Sequence, residues 1–341
     1  MNGTKPKFKK PSKTAPYRVQ ALTMQSFCLP SPNNSFCASY PDTVWAQYKF
    51  CKRHSAKLPK TSQSRSASNF DGDDYSDFAV WRPSDGTWYV RKSSDQSYSA
   101  FPFGTNGDKP VPADYDGDGI TDYAVFRPSD GNWYITMSAD NSYVGTHFGL
   151  AGDKPFFGDF DGDGKNDIAV WRPSNGDWYW LHSSDGSFHG IHFGQNGDVP
   201  VSGDYDGDSK TDLAVYRPSD AYWYILNSSN SSVTYANFGI STDIPVTGDF
   251  DEDDKADIAV YRPSTGYWYL LQSTDGFREV QFGVAGDIPS TGDFNEDEGT
   301  DLAVWSPSTG QWRVLSLEDL TIKQESWGLS GDVPASAAFN R

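Results

Sequence analysis

The sequence predicts an all-β protein, specifically a β-propeller built from four-stranded blades. A nine-residue acidic segment recurs six times, and four strand-sized segments make up each repeat. The copies begin at Asn69, Asp114, Asp159, Asp204, Asp249 and Asp293, giving intervals of 45, 45, 45, 45 and 44 residues. A period of this length with four strands per unit is typical of propellers and related arrays.

Each unit justifies the same four strands in the same order. A first strand of the type PVxGDFD leads into the acidic loop, and a second strand xAVWRP follows the loop. After a turn SxG comes a third strand WYxxxS, and after a turn such as SSDGS comes a fourth strand ending in FG. The segments are rich in Val, Ile, Tyr, Phe and Trp and show no helical period, which favours strands throughout.

The last unit predicts how the ring closes. The C-terminal GDVPASAAFNR is a seventh copy of the first strand without a loop behind it, whereas the first copy, residues 66–70, lacks the preceding FGxxGDxP. We expect the C-terminal strand to complete the N-terminal blade, which would remove exposed sheet edges and give six blades. The alternative is a seven-bladed ring in which this strand joins strands from residues 17–51.

The chain divides into two regions of opposite charge. Residues 1–65 form a non-repeat extension with 12 Lys/Arg and one acid, Asp42, a balance of +11. Residues 66–341 form the predicted propeller with 16 Lys/Arg and 45 acids, a balance of −29. The extension reads as partly disordered with a possible small β cap, and the acidic body disfavours nucleic acid and anionic membranes as partners. Self-association through the basic arm is a further expectation.

All three cysteines lie in the extension. Cys28 and Cys37 are spaced for a short bridge in an oxidising compartment, which would leave Cys51 free or paired with another chain. No stretch approaches the 18 apolar residues of a membrane span, and no signal-peptide pattern is visible.

The acidic loop has the composition of a cation site. In Asp159–Asp167, DFDGDGKND, carboxylates fall at positions 1, 3, 5 and 9, glycines allow the backbone to curl, and the position 7 carbonyl can face inward. Oxygen ligands at this density suit Ca²⁺. The spacing resembles the first nine positions of an EF-hand loop, but the Glu at position 12 is missing and strands flank the loop.

The unit GDFDGDGKNDIAVWRPSNGDWYW, with its FG and GD, resembles the FG-GAP or VCBS repeat, known from the integrin α-subunit propeller with its calcium loops. The resemblance covers residues 69–341 and implies up to six Ca²⁺ ions. The side-chain ligands it implies in the first three loops are Asn69, Asp71, Asp73, Asp77; Asp114, Asp116, Asp118, Asp122; Asp159, Asp161, Asp163, Asp167. Those in the last three loops are Asp204, Asp206, Asp208, Asp212; Asp249, Asp251, Asp253, Asp257; Asp293, Asn295, Asp297, Asp301. The implied backbone carbonyls belong to Tyr75, Ile120, Lys165, Lys210, Lys255 and Gly299. The alternative is that some loops are only Asx-turn corners.

Other recurring residues are better explained by blade geometry than by catalysis. The Arg of each Arg-Pro is expected to bond strand ends or the carboxylate of a neighbouring blade. Ser306 replaces it in the sixth unit, so this contact is expected to be dispensable there. The Trp at the start of each third strand is expected to pack between blades, although Trp180 and Tyr222 break the pattern and could contact a sugar. The histidines His182, His189 and His192 gather in the third unit.

The sequence therefore predicts a non-enzymatic, secreted or cell-surface propeller that acts as a calcium-binding adhesion, ligand-binding or structural module, with a protein or glycan ligand. The alternatives are a lectin, or an accessory or catalytic domain of a polysaccharide-degrading enzyme. No Ser-His-Asp, HExxH or phosphate-loop pattern supports catalysis.

Overall fold

The computed structural model describes residues 68–297 and 299–336. Within them the strands form six antiparallel sheets of four strands each, so the predicted six-bladed propeller is confirmed. The extension, including the predicted cysteine bridge and β cap, lies outside the described residues. No helix in the described ranges has the length and apolarity that crossing a membrane requires.

The strands follow the repeat, one blade after another. Blade one contains β1 (Phe78–Arg82), β2 (Thr87–Arg91) and β3 (Tyr98–Pro102). Blade two contains β4 (Lys109–Pro110), β5 (Tyr123–Arg127), β6 (Asn132–Thr136) and β7 (Tyr143–His147). Blade three contains β8 (Lys154–Gly158), β9 (Asp167–Arg172), β10 (Asp177–Leu181) and β11 (Phe188–His192). Blade four contains β12 (Val199–Pro200), β13 (Leu213–Arg217), β14 (Tyr222–Leu226) and β15 (Val233–Asn237).

The remaining two blades have five-residue first strands, as blade three does. Blade five contains β16 (Ile244–Gly248), β17 (Asp257–Arg262), β18 (Tyr267–Gln272) and β19 (Gly276–Gln281). Blade six contains β20 (Ile288–Gly292), β21 (Asp301–Ser306), β22 (Gln311–Leu315) and β23 (Ile322–Ser326). The last strand is β24 (Val333–Pro334). In blades two and four the first strand has only two residues, and the ladder resumes at the bridges Ala113↔Asp122 and Gly203↔Asp212.

The C-terminal strand closes the ring as predicted. β24 pairs with β1 through Val80↔Pro334 and Trp81↔Val333, so blade one has the sheet order β24-β1-β2-β3. The seven-bladed alternative is wrong, because β24 takes the first position of blade one; residues 17–51, which that alternative used, lie outside the described residues.

The core consists of six clusters, each lying between two consecutive blades. Trp178 of blade three packs with Leu213 and Val215 of blade four, and Trp312 of blade six packs with Phe78 and Val80 of blade one. The tryptophan at the start of every third strand is fully buried: Trp88, Trp133, Trp178, Trp223, Trp268 and Trp312. The prediction that these rings pack between blades is confirmed.

The FG pair holds the end of each blade together. The fourth strands end just before it, which corrects the prediction that they include it. In blade two the carbonyl of Phe148 accepts a bond from the Trp133 indole at 2.9 Å, and its amide donates to the carbonyl of Gly131 at 2.8 Å. A Cβ on Gly131 would lie 2.4 Å from the carbonyl oxygen of Gly149. Glycine suits this turn in blade two, where its φ is 69°. Blade four instead has Ala221 at the same position, with φ of 59°.

Candidate metal sites in the acidic loops

The acidic loops and the turns between third and fourth strands lie at the same end of the blades. Hydrogen bonds from the turns to the loops establish this. In blade two the amide of Ser138 donates to Asp122 Oδ1 at 2.6 Å, and its hydroxyl lies 2.9 Å from Asp118 Oδ2. The equivalent serines are Ser93, Ser183, Ser228 and Ser273, while in blade six Ser316, one position earlier, bonds Asp297.

Position 9 of each loop is a buried anchor. In loop two, Asp122 is fully buried, and its second oxygen accepts a bond from the amide of Tyr115 at 2.7 Å. One carboxylate thus ties the start of the loop to the turn after the third strand. The six position 9 residues are Asp77, Asp122, Asp167, Asp212, Asp257 and Asp301, each at most 1% exposed.

Burial raises the pKa of every position 9 carboxyl above its usual 3.8, because the charged form loses water. The pKa rises to about 7 for Asp77, Asp122, Asp167 and Asp257, to about 6 for Asp212 and to about 8 for Asp301. Backbone donors oppose the shift, and the neighbouring loop carboxylates add to it. Asp301 has the highest pKa of the six.

Position 1 folds the loop backbone around its side chain. Asp159 accepts bonds from the amides of Gly162 at 2.6 Å and Gly164 at 2.9 Å, and Asn69 accepts from Gly72 at 2.8 Å. These contacts are Asx-turn geometry, so position 1 has a structural role in the loop even without an ion. A carboxylate oxygen has two lone pairs and can accept a hydrogen bond and still face a cation.

Positions 3 and 5 face the serine-rich turn. In loop four, Asp208 at position 5 accepts bonds from the Ser228 hydroxyl and the Lys210 amide, and Asp206 at position 3 accepts from the Ser229 hydroxyl at 2.6 Å. The sequence analysis missed these serines as part of the loop environment. The recurring Ser of the WYxxxS strand was the available signal.

The fold brings the predicted carboxylates together in four loops. Ligand atoms lie within 4.8 Å of one another in the groups Asp114, Asp116, Asp122; Asp159, Asp161, Asp163; Asp204, Asp206, Asp212; and Asp249, Asp251, Asp257. Among the described residues, loops one and six, each with an amide at one ligand position, give no such group. The position 7 residues donate their amides to the position 5 carboxylates, as Lys165 does to Asp163 at 2.9 Å.

The donor set fits a hard divalent cation. In the described part of the chain, Asp71 Oδ1 and Asp206 Oδ1 are buried and accept no hydrogen bond. A buried carboxylate oxygen without a donor is costly, and a cation would satisfy it. All the clustered side-chain donors named above are oxygens, which is the chemistry that Ca²⁺ prefers.

A closed cycle of hydrogen bonds joins the six loops. The position 8 amide of each loop donates to the position 1 carbonyl of the preceding loop, for example Asn166 to Asp114 at 2.8 Å. The cycle closes from Ser76 of loop one to Asp293 of loop six at 2.6 Å. The other four links are Thr121 to Asn69, Thr211 to Asp159, Ala256 to Asp204 and Thr300 to Asp249. A change in one loop therefore acts directly on the backbone of its neighbour.

Glycine at position 4 provides room for the next loop. A Cβ on Gly162 would lie 2.9 Å from the Lys210 side chain, and one on Gly207 would lie 2.8 Å from Lys255. Loop five has Glu252 at this position, with φ of 60°, and the facing residue in loop six is Gly299. Between loops five and six the large residue is therefore at position 4 of the earlier loop and the glycine is in the later loop, the reverse of the arrangement at Gly162 and Gly207.

Ion pairs occupy the opposite end of the blades. Arg127 Nε and Nη2 lie 2.7 and 2.9 Å from the two oxygens of Asp108, and its guanidinium is 4.4 Å from the ring centre of Tyr134. The same arrangement joins Arg172 to Asp153, Arg217 to Asp198, Arg262 to Asp243 and Arg82 to Asp332. The predicted contact between strand ends is confirmed. The alternative of a carboxylate from a neighbouring blade is wrong, because the carboxylate precedes the first strand of the same blade.

Blade six keeps this contact by another route, so the expectation that it is dispensable there is wrong. Ser306 donates to Asp287 at 2.6 Å, and Arg313 pairs with the same carboxylate. Arg313 occupies the position that is tyrosine in the other five blades. The guanidinium has moved to the facing strand.

Only two of the three histidines of blade three come together. The rings of His182 and His189 stack at 3.9 Å beside the third acidic loop, whereas His192 is largely exposed and bonds Asp177 at 2.7 Å near the other end of the blade.

One family of repeats matches part of this chain. The model of the FG-GAP-like repeat matches residues 159–215, from the third acidic loop to β13. This segment is therefore similar to an FG-GAP-like repeat. The predicted resemblance is confirmed there, and the other five units repeat the FG-GAP-like strand order.

Solved structures match the chain at low identity and with TM-scores below 0.5. A streptogramin B lyase has 10% identity over 77% of this chain and 85% of its own, with a TM-score of 0.49. An inactive virginiamycin B lyase from Staphylococcus aureus with quinupristin has 11% identity over 78% and 89%, with a TM-score of 0.47. BBS1N in complex with ARL6DN has 14% identity over 83% and 90%, also with a TM-score of 0.47. No curated protein matches the chain. Similarity at this level gives no information about the chemistry of the loops.

Proposed function

We propose that this chain is a calcium-stabilised FG-GAP-like propeller that works outside the cell as a ligand-binding or adhesion module without enzymatic activity. The observation that carries the proposal is the pair of buried, unbonded oxygens of Asp71 and Asp206 within carboxylate-rich loops. Bound Ca²⁺ would neutralise the carboxylates at positions 1, 3, 5 and 9 and fix the loop backbone. Extracellular modules bind Ca²⁺ with Kd values of about 10⁻⁴ to 10⁻³ M, which cytosolic calcium does not fill.

The same structure supports a non-enzymatic role. In the part of the chain that the structure describes, the recurring Arg and Asp residues form the same ion pair in five blades, and Arg313 pairs with Asp287 in the sixth, so these residues are engaged in structural contacts. Exposed aliphatic residues follow the FG segments, or Trp327-Gly328 in blade six, on the face opposite the acidic loops, which favours a protein ligand on that face. They are Leu150, Ile240, Val284 and Leu329, between 44% and 59% exposed.

Calcium titration tests the proposal. Isothermal titration with Ca²⁺ should give several sites, and a thermal melt should give a higher Tm in 2 mM Ca²⁺ (about twentyfold above the lower Kd) than in EDTA. Asp206→Asn should reduce the number of bound ions. Asp220→Asn, in the turn at the other end of the same blade, is the matched control and should leave binding unchanged. An identical melt in EDTA and calcium contradicts the proposal.

A lectin is the second candidate, favoured by an exposed aromatic group in blade four. Tyr222 is 39% exposed and Tyr235 is 63% exposed, and both contact the ring of Tyr224. Exposed aromatic faces stack on sugar rings. A glycan array with wild type and Tyr222→Ser separates the two: glycan binding that requires Tyr222 favours the lectin, and no glycan binding favours the protein-binding module.

A further inference from the structure

Blade three has three side chains that no other blade has at the same positions. Trp180, His182 and His189 lie on β10, just after it and on β11. In the other blades the position of Trp180 is aliphatic: Val90, Ile135, Ile225, Leu270 and Val314. The position of His182 is taken by Lys92, Met137, Asn227, Gln272 and Ser316. The residues paired like His189 are Ser99, Val144, Thr234, Arg278 and Lys323.

These side chains form one stack at the edge of the acidic loop. His189 stacks on Trp180 with ring centres 5.5 Å apart and on His182 at 3.9 Å. The Ser187 hydroxyl lies 2.9 Å from His189 Nε2 and 3.3 Å from His182 Nδ1. Both imidazoles are half-buried, and the stack fixes the plane of the His182 ring.

The stack aims His182 at two carboxylates. Its Nδ1 lies 3.8 Å from Asp161 Oδ2, and one ligand atom each of His182, Asp161 and the fully buried Asp167 lie within 4.8 Å of one another. Zinc bonds of about 2.0–2.2 Å place neighbouring ligand atoms roughly 3.3–3.5 Å apart in a tetrahedral site. Small side-chain movements of about 1 Å would therefore complete the coordination. Ser316 has the position of His182 in blade six, and its hydroxyl bonds the loop carboxylate of Asp297. A side chain at this position therefore reaches the acidic loop of its blade.

We propose that blade three carries a mixed nitrogen and oxygen site, in which His182, Asp161 and Asp167 bind a borderline divalent cation of the Zn²⁺ type. Imidazole together with carboxylate suits Zn²⁺, whereas Ca²⁺ takes oxygen ligands. His189 is a positioning residue that holds the ring of His182. The site shares Asp161 and Asp167 with the calcium ligands proposed for loop three, so zinc and calcium compete there.

Zinc titration of the full chain tests the site. The three cysteines of the extension are replaced by serine in every variant, because thiolates bind zinc, and no histidine tag is present. Isothermal titration of EDTA-stripped protein with Zn²⁺ alone should show a site that His182→Asn weakens at least about tenfold. Asparagine is the residue of blade four at this position. His192→Asn, in the same blade and away from the loop, is the matched control and should bind as wild type does.

Further variants separate a ligand from a structural role. His189→Thr, the residue of blade four, should weaken zinc binding about 10- to 100-fold and leave the melt in EDTA close to that of wild type. Co²⁺ provides a second readout, since its visible spectrum should change in His182→Asn and in His182→Gln, the residue of blade five. Unchanged zinc affinity and Co²⁺ spectra in both His182 variants overturn the inference. If calcium still binds in that case, the zinc site is wrong and the proposed function stands. If zinc binds in a His182-dependent way and no calcium binds, the zinc site stands and the proposed calcium-binding function is wrong.

Discussion

Arg82 and Asp332 form a two-pronged ion pair across 250 positions of sequence, with N–O distances of 2.8 and 2.9 Å. In blades two to five the same pair joins residues only 19 positions apart, as Arg127 and Asp108 do. Ring closure therefore reproduces the internal contact of an ordinary blade. Asp332 immediately precedes β24, so strand pairing and the ion pair fasten the same segment to β1.

Asp332→Asn should destabilise the propeller more than Asp153→Asn does. Both changes remove a buried carboxylate from an equivalent arginine, which costs about 3 kcal/mol. Only Asp332→Asn also loosens the strand that closes the ring, so we expect a larger loss and a broader unfolding transition. Denaturant unfolding of the two variants measures the difference. Equal free energies of unfolding and equal cooperativity would show that the pair has no special role in closure.

The exchange in blade six predicts a compensating pair of substitutions. Ser306→Arg alone should destabilise, because it brings a second guanidinium to Asp287 next to Arg313. Arg313→Tyr alone removes the only arginine from this carboxylate. The double variant restores the arrangement of the other blades and should be within about 1 kcal/mol of wild type, with a coupling of about 1–3 kcal/mol in the cycle. Additive effects of the two changes would contradict the exchange.

The repeat made the fold predictable. A short segment alone is hard to assign as a strand, but the same pattern in six copies supports one assignment for all of them. The buried tryptophans and the closing strand followed from the same logic. The exchange of Ser306 and Arg313 did not, since the two residues are adjacent only after β21 and β22 pair. When one copy of a repeat has an unusual residue, the facing strand of that copy should be searched for a second unusual residue that compensates for it.

The spacing of the carboxylates in the sequence predicted the candidate sites. The contacts that surround these carboxylates could not be predicted from it. The spacing of Asp114, Asp116 and Asp122 gave the cluster. The bond from Ser138 to the loop and the link from Asn166 to Asp114 depend on turns and loops from other parts of the fold. Such contacts carry no local pattern, because they arise between segments that tertiary structure brings together.

Deleting Val333–Arg341 should expose the edge of β1 at Val80 and Trp81. An open, apolar strand edge pairs with other chains, so we expect aggregation and loss of cooperative unfolding. Size-exclusion chromatography with light scattering and a thermal melt measure both effects. A truncated protein that stays monomeric and melts as wild type does would refute closure by β24.

The basic extension makes a separate prediction about assembly. With +11 on residues 1–65 and −29 on residues 66–341, attraction between chains should weaken as salt screens it. Light scattering of the full chain and of a variant starting at Ser66, at 20 mM and 500 mM NaCl (Debye lengths of roughly 20 and 4 Å), should show larger species only for the full chain at low salt. Monomers in all four samples would remove any assembly role of the extension.

The position 9 carboxyls predict opposite pH dependence with and without calcium. Their pKa is about 7 in the folded, metal-free protein for Asp77, Asp122, Asp167 and Asp257, against 3.8 for an unperturbed carboxyl. Between these values the folded state binds more protons than the unfolded state, so stability falls as the pH rises. In EDTA we therefore expect the Tm to decrease from pH 5 to pH 8, by at least about 5 °C.

Calcium should reverse this slope, because it binds the ionised carboxylates and protons compete with it. With saturating Ca²⁺, the Tm should rise from pH 5 to pH 7 as deprotonation completes the sites. Thermal melts at pH 5, 6, 7 and 8, in EDTA and in calcium at matched ionic strength, give two curves that diverge toward high pH. Mg²⁺ at the same concentration is the control, because it keeps its water shell and fits a crowded carboxylate loop poorly. Parallel curves in EDTA and calcium would mean that the buried carboxyls titrate independently of any cation, and the loops would then be structural corners held by their own hydrogen bonds.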